Sequence, residues 1–599
     1  MPYAIEKPDR KEWQQVLSRV NYLQRINDPY LAQRDRVRAL MNGGKGAVKV
    51  LLSGLETNDN TLPAANHIKS GIERFSEMIA PAPDLKIDPP SGSDNDRAIR
   101  AAAKRERIVA SYDERCRLEH QLAQASMWLP GYGFYSWKVA AAKDAQGYRY
   151  PKAELRDPYT SWPAEWGVDQ RPLDIAYQRF VDPDTLVMIY PHAKSALEKI
   201  RNGAGRQRLA GGAVDLSPHT GLARRGSPTP GWDGVTGGVE VIEYVDGWGT
   251  YVLSPAVDGF LDIYEHPLDR APIVVPRRFT FDTLTGHFDD VVGLASVMAK
   301  LTLLTQIVME DAAFAPVVVT GRMDGPFRKG QDAVNVIEGG DAKYLTQNIP
   351  YQMFTEIDRI EKHLRQTTGY SKQADGESPM SFVTGQGLEE LGSSLARQVD
   401  RYHLVQKHAL EDLDSIRLEW DERAPWRDEE RFIEGTRSGE SYSEVYTPSK
   451  DIGGRWRTRR VYGIMAGLDE ARRTVGMLQL LAAEVIDVQT VQENLSHIDN
   501  APKVRDRILT GKIENVLFET LLAMGQQGDP NAMQAITRIR KNPKEMQAVL
   551  DEFFDPEDQE EAQQQMEASP EDEFAQVLTR LTAGGESQGG IQTVRELGG

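Results

Sequence analysis

A chain of 599 residues exceeds one hydrophobic core, so several domains are expected, and its 40% hydrophobic and 27% charged residues are ordinary globular material. A formal net charge of −18 argues against a protein that grips nucleic acid by neutralising phosphates, but not against one that lets a nucleic acid slide past. The single cysteine, Cys116, excludes an intramolecular disulfide and a multi-cysteine zinc site and fits synthesis in a reducing cytoplasm. No run approaches the roughly 18 to 20 consecutive apolar residues of a membrane span. The opening MPYAIEKPDRKEW also lacks the apolar stretch of a secretory signal.

Trp13 to about Met41 is helical in pattern and heavily charged, and Lys45 to Leu55 reads as a strand or strand-turn. Asn66 opens a second helix, with Ile68, Ile72, Phe75 and Ile79 on one side and Pro81 and Pro83 as its stop. After a short strand at Leu85-Lys86-Ile87, Asp94 to Met127 reads as one long helix. It ends at the breaker Leu129-Pro130-Gly131-Tyr132-Gly133. From Phe134 to Arg278 the period becomes two. Strands fit Tyr135–Ala140, Ile175–Phe180, Val239–Val245, Thr250–Leu253 and Ile273–Pro276. Between them Arg201 to Trp232, rich in Gly, Arg, Ser and Pro, reads as a surface loop of low order.

The stretch from Asp290 to Arg423 is the most informative. An apolar helix runs from Val291 to Ala312, followed by a small insert, Pro316 to Pro350, with β-prone runs at Val317-Val318-Val319 and Val334-Asn335-Val336-Ile337. Helical spacing resumes at Phe354, Ile357, Ile360 and Leu364. A polar break, Ser371 to Gln386, has almost nothing to bury, so it faces solvent or a lumen. Then comes the longest periodic run, from Leu388 through Val399, Val405 and Leu413 to Trp420, a rod of roughly 50 Å. Such a rod points to an elongated assembly and not to an enzyme pocket. Arg427 to Tyr462 reads as loops with one or two strands, and Leu468 to about Gln526 as helix. Asp551 to Phe574 carries eleven acidic and no basic side chains, and Thr582 to Gly599 is Gly-rich. This tail reads as disordered, solubilising or else a docking segment for a basic partner.

Catalytic and metal motifs are missing: no GxxxxGK[ST], HExxH, CxxC or GxGxxG occurs. The one GxSxG, Gly585 to Gly589, lies in the Gly-rich tail without the strand and helix of a nucleophile elbow. His403 and His408, five apart on a helix, point to different faces, and Cys116 shares a helix side with Val109 and Tyr112 as a packed thiol. Arg455, Arg457, Arg459 and Arg460 around Trp456 fit phosphate contact with aromatic support, or an exposed or subunit-bridging strand. Arg206, Arg208, Arg224 and Arg225 read as a solvated loop.

The order of these elements resembles a tailed-bacteriophage portal protein. The local patterns that carry the resemblance are Asn66-His67-Ile68-Lys69-Ser70-Gly71-Ile72, the Gly131-Tyr132-Gly133-Phe134 step, and Leu155-Arg156-Asp157-Pro158-Tyr159 with Trp162-Pro163. Arg270-Ala271-Pro272-Ile273-Val274, then Gly293-Leu294-Ala295-Ser296-Val297, resembles the approach to a first stem helix, and Ala315 to Gly321 the opening of a clip. Together with the helix–insert–helix–long-helix core, the likeness covers about 500 residues; the acidic tail and the Gly/Arg-rich loop depart from it.

The resemblance implies an α+β portal fold. Its wing would cover 1–289, stem helices 290–313 and 351–370, a small clip 314–350, and a tunnel loop 371–386. A long helix and wing return would occupy 387–465, a helical crown 466–556, and an acidic tail 557–599. It implies a homo-oligomeric ring of about twelve copies at one capsid vertex of the virion, assembled in the host cytoplasm. The ring would be a passive, non-enzymatic channel without cofactor or metal for packaging and ejecting double-stranded DNA. Ser371, Lys372, Gln373, Asp375 and Ser378 would face the DNA. Arg322, Arg328 and Lys329 of the clip would dock the terminase large subunit and then a head–tail adaptor, with major capsid and scaffolding proteins as further partners. The alternatives are another virion structural or adaptor protein, which should lack the β-rich stretch 134–278, or an α+β enzyme with an unrecognised site.

Overall fold

The computed structural model describes residues 9–53, 66–89 and 96–195 apart from 145, 166–169 and 182. It also describes 239–313 apart from 255–258 and 281–283, then 317–323, 337–344, 351–368, 385–462 apart from 438–439, and 501–541 apart from 529, with isolated positions elsewhere. The expected loop 201–232 and the tail from 554 lie outside the described residues. The chain is mixed α+β and divides into two compact units, Met1–Gly435 with Ser443–Tyr462, and Thr436–Tyr442 with Gly463–Gly599.

The first unit opens with α1 (Trp13–Asn27) and α2 (Leu31–Asn42), separated by a 3-10 turn at Asp28-Pro29-Tyr30. Pro29 has no N–H to give to a continuing helix, so one predicted helix becomes two. The strand expected at Lys45 to Leu55 is instead α3 (Gly44–Leu51). Ala47 and Leu51, four apart, are both buried, and that spacing overrides the β-propensity of Val48 and Val50. The Asn66 side chain caps α4 (His67–Ile79) by accepting the Lys69 N–H at 3.1 Å, and the face Ile68, Ile72, Phe75, Ile79 is buried as the spacing predicts. Phe75 there packs against His287, Phe288 and Tyr402.

The single helix expected from Asp94 is broken. Arg117 adopts φ 51° and separates α5 (Asp96–Cys116) from α6 (Leu118–Tyr132). Helix α6 ends at Gly133, φ 84°, where a Cβ would lie 2.5 Å from the Thr285 carbonyl oxygen. Gly286 faces the Gly131 carbonyl so closely that its own Cβ would lie 2.1 Å away. Two backbones meet here, joined by His287 N–H to Pro130 O at 2.7 Å and Arg278 N–H to Gly133 O at 2.8 Å. The glycine step is therefore a contact surface as well as a helix stop.

Two antiparallel sheets follow. One has the order β3-β2-β9, from β2 (Ser136–Lys143), β3 (Arg149–Arg156) and β9 (Ile273–Val274), with Trp137 opposite Leu155 on one side and Val274 on the other. The other runs β4-β5-β6-β7-β8, from β4 (Ser161–Pro163), β5 (Ile175–Val181), β6 (Val239–Val245), β7 (Gly249–Ser254) and β8 (Gly259–Glu265). A short helix α7 (Pro183–Ile189) covers part of the second sheet with Leu186, against Val241 and Val252. The five predicted strands correspond to β2, β5, β6, β7 and β9, while β3, β4 and β8 are additions.

A buried ion triad ties the two sheets together. Lys138 of β2 pairs with Glu243 of β6, and Arg156 of β3 reaches the same carboxylate at 3.0 Å. Burial alone would push the Glu243 carboxyl up, but the Lys138 ammonium and the Arg156 guanidinium hold it down at about 2. Further on, α8 (Val292–Ala313), the hairpin β10 (Val317–Met323) with β11 (Ile337–Tyr344), α9 (Tyr351–Thr368) and the 39-residue α10 (Gly385–Arg423) follow in the predicted order. The second hairpin strand starts at Ile337, where the predicted β-prone run ends. After β12 (Arg431–Arg437) and β13 (Glu440–Tyr446), the chain returns to pair β14 (Arg459–Val461) antiparallel with β1 (Asp84–Lys86), Leu85 opposite Arg460.

In the second unit, α11 (Ala501–Gln526) and α12 (Pro530–Lys541) form a helical hairpin turned at Gly528, φ 92°. Leu517 and Leu521 pack there with Ala532, Ala535 and Ile539, joined by Val549 and Leu550. Ile513 of α11 packs against the same core, so the helix buries positions four apart.

The triad makes the first unit acid-sensitive. A carboxyl depressed on folding contributes stability above its unfolded value near 4.5, and this is lost as pH falls through about 2. Glu243→Gln should cost about 3 kcal/mol at neutral pH. In near-UV circular dichroism it should also flatten the loss of signal between pH 4.5 and 2; an unchanged acid titration would separate the triad from acid stability.

Candidate anion-binding cleft and assembly face

Helix α10 organises the chemistry of the first unit. Its Asp414 carboxylate, fully buried, is shared by two buried guanidiniums: Arg417 one turn on, and Arg460 of β14, whose Nε donates at 2.8 Å. Asp113 of α5 completes the group, accepting from Arg417 at 2.6 Å and from Arg460 at 2.7 Å. Two cations thus meet two anions. Burial would push the Asp414 carboxyl up, but Arg460 and Arg417 keep it below the usual carboxylate range. About two turns beyond Asp414, buried Asp421 accepts from Arg431 at 2.9 Å, Tyr112 at 2.5 Å, Tyr446 at 2.9 Å and the Trp426 indole at 2.8 Å.

Next to this network the segment from Arg455 to Arg460 runs with period two. Arg455, Arg457 and Arg459 are exposed, whereas Trp456 is half-buried and Thr458 and Arg460 are buried. Trp456 donates to Glu422 and carries the Arg423 guanidinium over its ring at 5.2 Å; Thr458 donates to Asp414 at 3.2 Å. The four arginines that the sequence groups together therefore split, with Arg460 structural and the other three lining an open cleft of about 980 Å³.

The cleft is cationic inside an acidic chain. Arg105 of α5, Arg171 before β5 and Lys407 of α10 join Arg455, Arg457 and Arg459 in its wall, against Asp88, Glu411 and Asp412. All three carboxylates are engaged. Asp412 pairs with Arg171, Asp88 with Arg459 at 3.9 Å, and Glu411 with His408 at 3.1 Å and the Arg460 N–H at 3.0 Å. Arg105, Lys407, Arg455 and Arg457 have no carboxylate partner among the described residues. Arg105 is only 3% exposed and its Nε makes no hydrogen bond. Burial, and then the Arg455 cation beside it, pull the Arg105 pKa down.

The two predicted non-ligand histidines are accounted for. His403 is buried, stacked on Tyr462 at 3.9 Å, while His408 is exposed on the other side of α10. Cys116 is buried and burial pushes its thiol up, which suits a packed group.

A second surface lies on α8. Ala295, Met298, Ala299 and Leu303 face the core, and Ser296 donates to the Leu51 carbonyl at 2.7 Å. The opposite face leaves Val297, Leu304 and Ile307 exposed, and α9 adds Tyr351 at 81% exposure and Phe354. A mostly apolar groove of about 420 Å³ separates the two helices, lined by Thr302, Thr305, Met309, Phe354 and Ile357 among others. The span Asp289–Glu310 is long and apolar enough to cross a bilayer, with 44% of its apolar window buried. A search for an unbroken apolar run passes over it because Lys300, Thr302 and Gln306 interrupt.

Of the residues the sequence assigns to partners and DNA, Arg322 is exposed on β10, opposite Glu338 of β11. Arg328 and Lys329 lie outside the described residues, as do Ser371, Lys372, Gln373, Asp375 and Ser378. Arg105, Arg171 and Lys407 are site residues that sequence reading misses. None belongs to a motif in its own segment, and the packing of α5, α10 and β14 brings them to the arginine run. No protein-family model matches the chain, and no curated protein matches its sequence.

The split of the arginines has a direct check in thermal unfolding. Arg460→Met should cost about 3 kcal/mol, because it strands Asp414 and Asp113 beside one guanidinium. Arg457→Ala should change stability by less than about 0.5 kcal/mol. Equal losses would mean that both arginines serve the fold.

Proposed function

We propose that the chain is the subunit of a portal ring, a passive channel for double-stranded DNA at a capsid vertex. The observation that carries this reading is the uncovered apolar face of α8 and α9 with the β10–β11 hairpin between them. Val297, Leu304, Ile307, Tyr351 and Phe354 are exposed on two adjacent helices, more than scattered surface residues require. A two-stranded sheet holds little core of its own, and its two open edges offer pairing to another chain. Neighbouring copies meeting head to tail would cover both, and a rotation that closes gives a ring of about twelve.

Three further features support the reading. The order of helix, hairpin, helix and very long helix matches the stem, clip and wing helix of the resemblance. The β-rich stretch before it is what an adaptor protein should lack. The charge of −18 suits a channel wall past which a polyanion slides without sticking. In this reading the segment 371–386 projects into the channel with Lys372 and Gln373 as weak DNA contacts. The hairpin, with Arg322, Arg328 and Lys329, docks the terminase large subunit during packaging and the head–tail adaptor afterwards. Capsid and scaffolding proteins surround the vertex, and no residue is catalytic.

Native mass spectrometry with negative-stain images of the purified chain tests this. The expected particle is a closed ring of about twelve copies with a central hole, formed without detergent. Leu304→Glu with Ile307→Glu should break it into monomers, since each burial is worth about 2 kcal/mol and each new charge must be desolvated. A wild-type monomer across salt and concentration, or a particle that assembles only in detergent, would overturn the reading.

A further inference from the structure

Four cations in the cleft beside α10 have no carboxylate partner among the described residues, and one of them is almost completely buried. Removing a guanidinium from water costs free energy unless its donors find acceptors. Elsewhere in this unit the buried guanidiniums of Arg417, Arg431 and Arg460 each meet a buried carboxylate, which offsets their desolvation even though some of the Arg417 and Arg431 donors make no hydrogen bond. Arg105 meets none among the described residues, although it lines the cleft and is 3% exposed. Arg455, close enough to lower its pKa, adds repulsion that an anion between them would relieve.

We propose that this cleft is a phosphate site, in which Arg105 on the floor and Arg455, Arg457 and Lys407 nearer the solvent bind the phosphate groups of a polyanionic ligand. Guanidinium forks deliver paired N–H donors to oxyanions, and three of the four groups are arginines. A phosphate presents several oxygens in three dimensions and takes donors from floor and rim at once, which a flat two-oxygen carboxylate does less well. The cleft's own carboxylates are already used by Arg171, Arg459, His408 and the Arg460 N–H, so they do not compete for these four. The volume of about 980 Å³ exceeds what one phosphate fills, and Trp456 in the wall offers a ring beside the anion, as in grooves that follow a nucleic-acid backbone. The phosphates come either from the phosphodiester backbone of a nucleic acid or from a free polyphosphate. The cleft lies on residues separate from the exposed α8 face, so the inference does not rest on the ring.

The test uses the full chain in whatever assembly it forms, with pyrophosphate in isothermal titration and a labelled 20-base-pair DNA duplex in fluorescence anisotropy. Arg455→Ala with Arg457→Ala, both exposed, keeps the fold, and an unchanged thermal midpoint verifies that. The double variant should weaken binding by at least about 10-fold and reduce the slope of log affinity against log salt for the duplex by about 2. Duplex binding that pyrophosphate displaces assigns the phosphates to nucleic acid; pyrophosphate binding alone assigns them to a free anion. Arg105→Lys should retain part of the affinity and Arg105→Gln should lose it. The proposal falls if neither probe binds, if the double variant binds as well as the wild type, or if oligoglutamate displaces the probe as well as pyrophosphate does. A monomer that binds phosphate would sink the ring alone, and a ring that does not bind would sink this site alone.

Discussion

The shared carboxylate of Asp414 is the constraint on which the first unit depends. It sits in the C-terminal third of α10 and accepts from cations on its own helix and on β14, while Asp113 brings α5 to the same pair. Desolvating four charges is costly, and apolar side chains of the same volume would hold the helices together as well or better. What the ions add is position. A slip of one residue in the β1–β14 pairing would turn Arg460 to the other face and leave Asp414 with half its partners. Asp421, about two turns along the same face, fixes Arg431, Tyr112, Tyr446 and Trp426 in the same manner. A helix long enough to be a lever is thereby clamped along one side.

That clamp also makes the cleft. Alternation in an extended segment means that burying Arg460 and Thr458 sends Arg459, Arg457 and Arg455 outward. The pairing that brings β1 to β14 carries Asp88 to the cleft edge, and α5, held by Asp113, supplies Arg105. Structural ions and unmatched cations are thus two faces of one register. The glycine contact at Gly133 and Gly286 plays a comparable part for α8, because it sets the path of the backbone into Phe288 and the first turn of that helix.

Much of this architecture is legible in the sequence, and where it is not the reason is specific. Periodicity finds α4, α8, α9, α10 and α11, because each buries residues three or four apart, and period two finds the strands that bury one face. The β-propensity of Val48 and Val50 misleads over α3, where Ala47 and Leu51 decide. The break at Arg117 is invisible, since an arginine at positive φ carries no local signal and only the packing of α5 and α6 requires it. Arg455 to Arg460 announces itself as an arginine cluster, but its division into structural and exposed halves depends on Asp414, more than forty residues away. Arg105 and Lys407 are harder still, as nothing near either marks it. The five residues assigned to the channel rest on the resemblance alone, and all lie within 371–386.

Charge separates the two surfaces on physical grounds. Copies carrying −18 each repel one another at long range, so in the proposed ring an apolar contact is favoured, and α8 with α9 offers such a face. Salt screens that repulsion and favours association through such a face, since burial of Leu304 and Ile307 is not itself ionic. The cleft behaves oppositely. Its affinity for phosphate arises from four cations and the counterions an anion displaces, so salt weakens it. An acidic chain can keep such a site only where the fold holds cations together against their own repulsion. Around Arg105 that is done by α10 and α5, whose carboxylates Asp414 and Asp113 spend their charge on Arg417 and Arg460 and leave Arg455 and Arg457 without a carboxylate among the described residues.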